Sequence, residues 1–365
     1  MLPSMKTLFN SVYTIGCLTF LLLVRSTLAQ DHYIGPEDLG TNRTLTVYST
    51  ADFAAFAPVL QRYSDTHPTV RIHYRDLDSV ELFEQVRSDH GTKSGADLVL
   101  STAMDLQIKL ANDGYSRPYS SAMTAYLPSW ASWRDEAFGV TFEAAVTVYN
   151  KKLLPEAAEA LNRRQLAAWL RREPERFYGN IISYDPERSG VGFLLATQDA
   201  KRSNSLWELT GSFGHNKIKL FSSTQVMLDR VASGRSLIAY NVLGSYAKRT
   251  MASQPDLAIM PINDYKLVLS RVALLPSSSA NPLLGEGFLD YLLSEEGQQI
   301  LEYEAYLDPL NKADGTRRDQ NGALLQPVHL GTELMVYLDQ SKRRRFIKRW
   351  NHALFNATSV DPLKK

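Results

Sequence analysis

From Thr44 onward, short apolar runs alternate with stretches of helical period. Leu45-Thr46-Val47-Tyr48 reads as a strand that ends at Ser49-Thr50. Phe53, Phe56, Ala57, Leu60 and Tyr63 then recur at i, i+3, i+4, i+7 and i+10, the spacing of one buried helix face. Pro68 closes that helix, and Val70, Ile72 and Tyr74 alternate as a second strand. Asp78 with Glu81 has the spacing of a capping box for a helix carrying Val80, Phe83 and Val86. Ala96-Asp97-Leu98-Val99-Leu100 is a buried type of strand, and a helix with Leu106 and Leu110 stops at Gly114. This β-α-β-α-β-α order predicts an α/β protein with a doubly wound, mostly parallel sheet.

A second unit of the same kind begins at Val146-Thr147-Val148-Tyr149-Asn150. Pro155 opens a helix, and Leu166, Trp169 and Leu170 mark another. Asn180 to Tyr184, Ser236 to Tyr240, and Leu257 to Met260 read as strands, with Ser189-Gly190 leading into the helix of Val191, Leu194 and Leu195. Leu267 to Leu275 reads as one further strand rich in Val and Leu. Residues Asp31 to Arg43 read as a loose arm. Asn311 to Gln326 is polar, and Asp314-Gly315 and Asn321-Gly322 make it a surface loop.

The N-terminus changes the picture. Lys6 precedes an apolar stretch from Val12 to Val24, and Thr27-Leu28-Ala29 places small residues at −3 and −1 of a cut after Ala29. That layout predicts a cleaved secretory signal. A retained membrane anchor is the alternative, although the stretch is shorter than the roughly 20 residues of a span. Thr14 stands where a lipid-attachment motif at Cys17 requires Leu. Cys17 is the only cysteine, so the mature chain has no disulfide, thiolate metal site or cysteine nucleophile.

More than 300 mature residues suggest two domains. Lys plus Arg total 40 against 39 for Asp plus Glu, so no basic face points to nucleic acid. Lys342-Arg343-Arg344-Arg345, with Lys348 and Arg349, interleaves with Phe346, Ile347, Trp350 and Leu354. That reads as a solvated helix face over an apolar stripe, with membrane or partner docking as the alternative.

Several segments in this order resemble a known family. They are Leu45 to Ser49, Gly95 to Val99, Val146 to Leu153, Asp185 to Gly190, Ile238 to Tyr246 and Leu293 to Gln298. The chain resembles the bacterial periplasmic binding proteins of the ferric-ion, phosphonate and phosphosugar class of ABC importers. Within them it is most similar to the phosphoglycerate transport regulatory proteins, chiefly through Tyr240 to Tyr246 and through His329-Leu330-Gly331 leading into Tyr337-Leu338-Asp339. Order and spacing carry the resemblance, which runs from about Thr44 to the C-terminus.

The resemblance implies a two-lobe, type II-like fold with a ligand cleft between the lobes. It divides the chain into a signal at 1–29, an arm at 30–43, lobe one at 44–143 plus 264–310, lobe two at 146–263, and C-terminal loop and helices at 311–365 packing on the lobes. The crossings fall near Phe142 to Val146 and Asn263 to Ser270. It further implies a monomer in the periplasm whose partners are ABC importer membrane subunits or the periplasmic domain of a membrane histidine kinase. The closer likeness tilts the expectation toward the sensing role.

Ligands of open α/β sheets sit outside the carboxyl ends of strands. That rule selects Ser49, Thr50, Ser101 and Thr102 in lobe one, and Arg188, Ser189, Gly190, Tyr240 and Asn241 in lobe two. Small hydroxyl residues at helix starts suit a carboxylate or phosphate, because free N–H groups and the positive dipole end lie there. The same hydroxyls also serve as plain helix caps. Glu143 precedes the crossing strand, facing the cleft or forming a hinge salt bridge. Ferric iron is the alternative ligand. The ferric branch carries two adjacent tyrosines where this chain has Asn241-Val242, and an anion-holding arginine where it has Ala145. A hydrolase or lyase in the same cleft is the alternative of another class. No Gly-x-Ser-x-Gly, His-Glu-x-x-His or Gly-x-x-x-x-Gly-Lys motif supports it, and no cofactor is expected.

Overall fold

The computed structural model describes residues 30–37, 40–92, 94–310 and 317–355. The expected signal and Cys17 lie outside the described residues, as does the Asp314-Gly315 turn. The first lobe runs β1 (Gln30–Ile34), β2 (Thr44–Ser49), α1 (Phe53–Thr66), β3 (Arg71–Asp76), α2 (Ser79–Asp89), β4 (Leu98–Ser101), α3 (Met104–Asn112), β5 (Ser132–Trp133) and β6 (Ala137–Gly139). The chain then crosses over. The second lobe holds β7 (Glu143–Asn150), α4 (Arg163–Arg172), α5 (Pro174–Phe177), β8 (Ile181–Tyr184), α6 (Gly190–Arg202), α7 (Ser205–His215), β9 (Lys219–Phe221), α8 (Thr224–Ala232), β10 (Ile238–Leu243), α9 (Gly244–Ser253), β11 (Leu257–Ile259) and β12 (Tyr265–Leu269). A second crossing leads to β13 (Val272–Leu274), α10 (Pro282–Leu293) and α11 (Glu295–Tyr303), followed by β14 (Leu324–Pro327) and α12 (Gln340–Phe355).

The first sheet has the order β1-β3-β2-β4-β13-β6-β5, and the second β14-β12-β7-β10-β8-β9 with β11 also on β7. The β3-β2-β4 centre and the β10-β8-β9 edge are parallel, with helices between strands as the βαβ pattern demands. Antiparallel strands flank them. This is the two-lobe α/β fold that the resemblance implies.

Four readings of the sequence change. The stretch Asn311 to Gln326 is not loop to its end, because Leu324 to Gln326 belong to β14, which pairs parallel with β12 from Tyr265↔Leu324 to Val268↔Pro327. The arm is not loose at its start, because β1 pairs antiparallel with β3 from Gln30↔Asp76 to Ile34↔Ile72. The run Leu267 to Leu275 is two strands. β12 lies in the second sheet, with Leu269 opposite Glu143, and β13 in the first, with Val272 opposite Ser101. The second crossing therefore falls at Ser270-Arg271, and β12 joins the sheet of the second lobe although 264–310 reads as lobe one.

Helix starts follow local chemistry. The Asp78 carboxylate accepts from Val80 and Glu81 at 2.9 Å, and Asn162 with Gln165 forms a full capping box on α4. Leu45, Val47, Phe56, Leu60, Ile72 and Phe288 fill the first lobe. Leu166, Leu170, Phe177, Phe193 and Phe213 fill the second, together with Phe346, Trp350 and Leu354 of α12. The basic residues of α12 stay on its outer face, with Lys342, Arg344, Arg345, Lys348 and Arg349 exposed. Gly214 admits α12 against α7: a Cβ there would lie 1.8 Å from the Leu354 carbonyl oxygen. A further apolar cluster joins Met104 and Ile108 of α3, Leu194 and Leu195 of α6, and Leu330 and Leu334 of the C-terminal segment. The lobes are therefore closed on one another.

Candidate functional site

The cleft is built from strand ends that face each other across the closed lobes. In the first lobe the loops after β2 and β4 brace one another. Ser49 Oγ accepts from the Ala51 N–H at 3.0 Å, Thr50 Oγ1 from the Thr102 N–H at 3.3 Å, and Ser101 Oγ from the Ala103 N–H at 3.1 Å. All but Thr50 of these four hydroxyl residues are buried. α3 starts at Met104 without a side-chain cap.

From the second lobe, Ser189 caps α6 through the Gly192 N–H at 3.1 Å. Gly190 brings the start of α6 onto the first lobe. A Cβ there would lie 2.5 Å from Ser79 Oγ and 3.4 Å from Ala103 Cβ. The starts of α2, α3 and α6 thus converge, and α2 alone has a carboxylate cap, from Asp78. Arg188 is exposed on the loop before α6.

Tyr240 and Asn241 turn away from this junction. The buried Asp199 carboxylate accepts from Tyr240 Oη at 3.2 Å, Asn241 Nδ2 at 2.7 Å and Tyr265 Oη at 2.8 Å. Arg163 Nε donates to Tyr240 Oη at 2.9 Å and its guanidinium also pairs with Asp264. Asn241 has φ +55° and marks the register shift between Ala239 and Val242 in β10. A left-handed residue inside a strand makes a bulge that re-aims the side chains around it, here toward α6.

Glu143 sits at the first crossing and is buried, 1% exposed, against an equally buried Arg271 from the second crossing. Arg271 Nε lies 2.9 Å from Glu143 Oε1. Thr141 Oγ1 donates to the same carboxylate at 3.0 Å, and Ser245 Oγ donates to its other oxygen. Burial opposes charge on Arg271. Glu143, with the nearby Tyr246 and Tyr74, outweighs burial, so the guanidinium is held more firmly protonated than usual.

Around this pair lie side chains that the strand-end rule did not select: Arg271 itself, Ser245 and Tyr246 at the start of α9, and Tyr74 and Asp76 of β3. The Asp52 N–H donates to Tyr246 Oη at 3.2 Å, a bond from one lobe to the other. Asp76 accepts from the Phe53 N–H at 3.0 Å. Burial, with Asp52 nearby, pushes the Asp76 carboxyl up to about 6 against the pull of that N–H and Arg271. Arg271 had a visible sequence signal: a charge in the middle of the apolar run Leu267 to Leu275. Among the described residues, no group of three or more His, Cys, Asp or Glu is placed to hold a metal ion.

Two α/β lobes joined at paired crossings, with polar strand ends meeting in the cleft, define a bilobal binding protein. The chain belongs to the bacterial extracellular solute-binding proteins, whose family pattern matches residues 48–299. It is similar to the substrate-binding protein of an ABC transporter from Agrobacterium tumefaciens, at 37% identity over 90% of this chain and 99% of that one, TM-score 0.82. Two more distant structures share the fold. Iron-bound HitA from Pseudomonas aeruginosa is 18% identical over 85% and 99%, TM-score 0.65. AfuA from Actinobacillus pleuropneumoniae, with fructose-6-phosphate bound, is 15% identical over 85% and 98%, TM-score 0.69. No curated protein matches the chain.

Proposed function

We propose that the mature protein captures a small anion, bearing a carboxylate or phosphate, between its lobes in the periplasm and delivers it to the membrane subunits of an ABC importer. The observation that carries this is the meeting of α3 and α6. Two helix N-termini meet across the cleft, close enough that a Cβ at Gly190 would touch Ala103; α6 has no carboxylate in its first turn, and α3 has only Asp105, whose carboxyl burial pushes up to about 7. Like partial charges at that distance repel, and an anion beside them satisfies both. Ser49, Thr50, Ser101, Thr102, Ser189 and Gly190 surround the junction, and Arg188 adds charge at its rim.

Closure follows from differential affinity: a ligand touching both lobes favours the form in which both are in reach. A phosphorylated small acid fits the likeness of the sequence to phosphoglycerate regulators. Delivery, rather than the sensing role toward which that likeness tilts, agrees with the ABC-transport neighbour. With the importer expressed from an independent promoter, deletion of the gene should abolish uptake. Normal uptake with lost induction would favour sensing.

A thermal-shift panel of organic acids, sugar phosphates, phosphonates and ferric iron tests the ligand class. An anion at one hundred times its Kd adds about 2.7 kcal/mol to stability. A shift with ferric iron alone would overturn the anion reading. Ligand recovered unchanged after long incubation supports binding over the hydrolase or lyase alternative, and turnover would contradict it. Sequencing the periplasmic protein should give Gln30 as the first residue, and sedimentation should give a monomer.

A further inference from the structure

The Glu143–Arg271 pair is more than a hinge bridge needs. Both Glu143 oxygens are fully engaged. Oε1 accepts from Thr141 Oγ1 and lies 2.9 Å from Arg271 Nε as an ion pair, and Oε2 accepts from Ser245 Oγ and, at 3.4 Å, from Arg271 Nη2. Neither Nε, despite its ion-pair distance to Glu143, nor Nη1 of Arg271 makes a hydrogen bond, although the residue is 1% exposed, and Nη1 has no ion-pair partner among the described residues either. A buried N–H group of a charged side chain left without a partner carries an uncompensated desolvation cost, so most find one in protein or ordered water. A lysine could have bridged to Glu143 without this surplus. A guanidinium carries donors in two directions.

What Arg271 borders is a small cavity of about 10 Å³ in the closed form, near the size of one water. Its walls come from both lobes. Ala51 and Phe56 belong to the first, and Ser245, Tyr246 and Arg249 to the second. Arg249, half-buried, places a second guanidinium beside the same space, 4.9 Å from the Tyr246 ring centre.

We propose that Arg271 is an anion-binding residue of the cleft: Nε stays on Glu143, and Nη1 receives the acidic group of the ligand. This rests on the reading that the ligand is an anion, and it locates the charge that pays for burying it. Ser245 and Tyr246 belong to the second lobe, whereas Ala51 and Asp52 belong to the first. An acidic group at Nη1 therefore touches the contacts that hold the lobes together.

The test is isothermal titration of three probes, inorganic phosphate, 3-phosphoglycerate and citrate, into four proteins. These are the wild type, Arg271→Lys, Glu143→Gln, and the double variant Arg271→Met with Glu143→Gln, which leaves no buried charge unpaired. Far-UV circular dichroism and a urea midpoint confirm that each is folded. For the tightest probe, the double variant should bind at least 50-fold more weakly than wild type. Arg271→Lys should fall between, because lysine keeps the charge without the fork. Glu143→Gln should bind at least threefold more tightly, since it removes the competing carboxylate and leaves Arg271 its charge. A purely structural pair predicts the opposite for Glu143→Gln, a loss like that of the double variant. That loss, or wild-type affinity in the double variant, overturns the role of Arg271 alone. Failure of the wild type to bind any probe overturns the anion reading and the role of Arg271 with it.

Discussion

Glu143 and Arg271 meet with Oε1 and Nε 2.9 Å apart, one from each crossing between the lobes, and both 1% exposed. The two chain segments that join the lobes are thus tied by a buried charge pair. Removing one partner strands the other charge in a low-dielectric setting. Arg271→Met alone should cost about 3–5 kcal/mol, and the double variant with Glu143→Gln distinctly less. Urea unfolding of the two variants measures this, and equal losses would show that the pair is not what holds the crossings.

Gly190 sets how far the lobes close. A Cβ there would sit 2.5 Å from Ser79 Oγ on the opposite lobe. Gly190→Val should therefore leave the stability of the unliganded protein within about 1 kcal/mol of wild type, as expected of a site that meets its neighbour only on closure. Affinity for the best anion should drop at least tenfold, read by titration calorimetry.

Asp105, in the first turn of α3, gives a pH signature. It is buried, and burial pushes its carboxyl up to about 7, against the Leu106 N–H and the charge of Arg343 on α12. With an unfolded value near 3.9, the native state holds the extra proton between about pH 4 and pH 7. Stability should fall as pH rises through that window and level off above it. Asp105→Asn should remove this slope, by an amount on the order of a few kcal/mol. Urea midpoints from pH 4.5 to 8 test it.

Tyr240 contributes to the second lobe from within. Its hydroxyl donates to Asp199 and accepts from Arg163. Tyr240→Phe should cost about 1–3 kcal/mol by leaving those buried groups underused, and should change anion affinity less than twofold. Asp199→Ala should cost more, about 3–5 kcal/mol, because Arg163 loses a buried counter-charge 3.6 Å away. A large affinity loss in Tyr240→Phe with unchanged stability would place its hydroxyl in the cleft.

The repeating units were legible because each strand and helix buries one periodic face. Leu45, Val47, Phe56 and Leu60 announce the first lobe, and Asp78 its second helix. β1 was not legible. Gln30–Ile34 is largely exposed and joins the sheet through backbone pairing with β3, which leaves no hydrophobic period. The split between β12 and β13 was hidden for the opposite reason: both are buried, so an unbroken apolar run spans a change of sheet. Within the site, hydroxyls at strand ends could be located but not aimed. The bulge at Asn241 turns Tyr240 and Asn241 to Asp199, and a backbone conformation of that kind leaves little trace in residue types. Arg271 stands 128 residues from Glu143, and their pairing depends on the two crossings lying side by side.

An anion that bridges the lobes should hold them closed. Val80 on α2 and Val226 on α8 are 49% and 45% exposed, one on each lobe. Val80→Cys with Val226→Cys, labelled in the mature protein, gives a direct distance by single-pair energy transfer. The distance distribution should be broader and longer without ligand and collapse to one short distance with saturating anion. A distribution that stays the same when the anion is bound would contradict it.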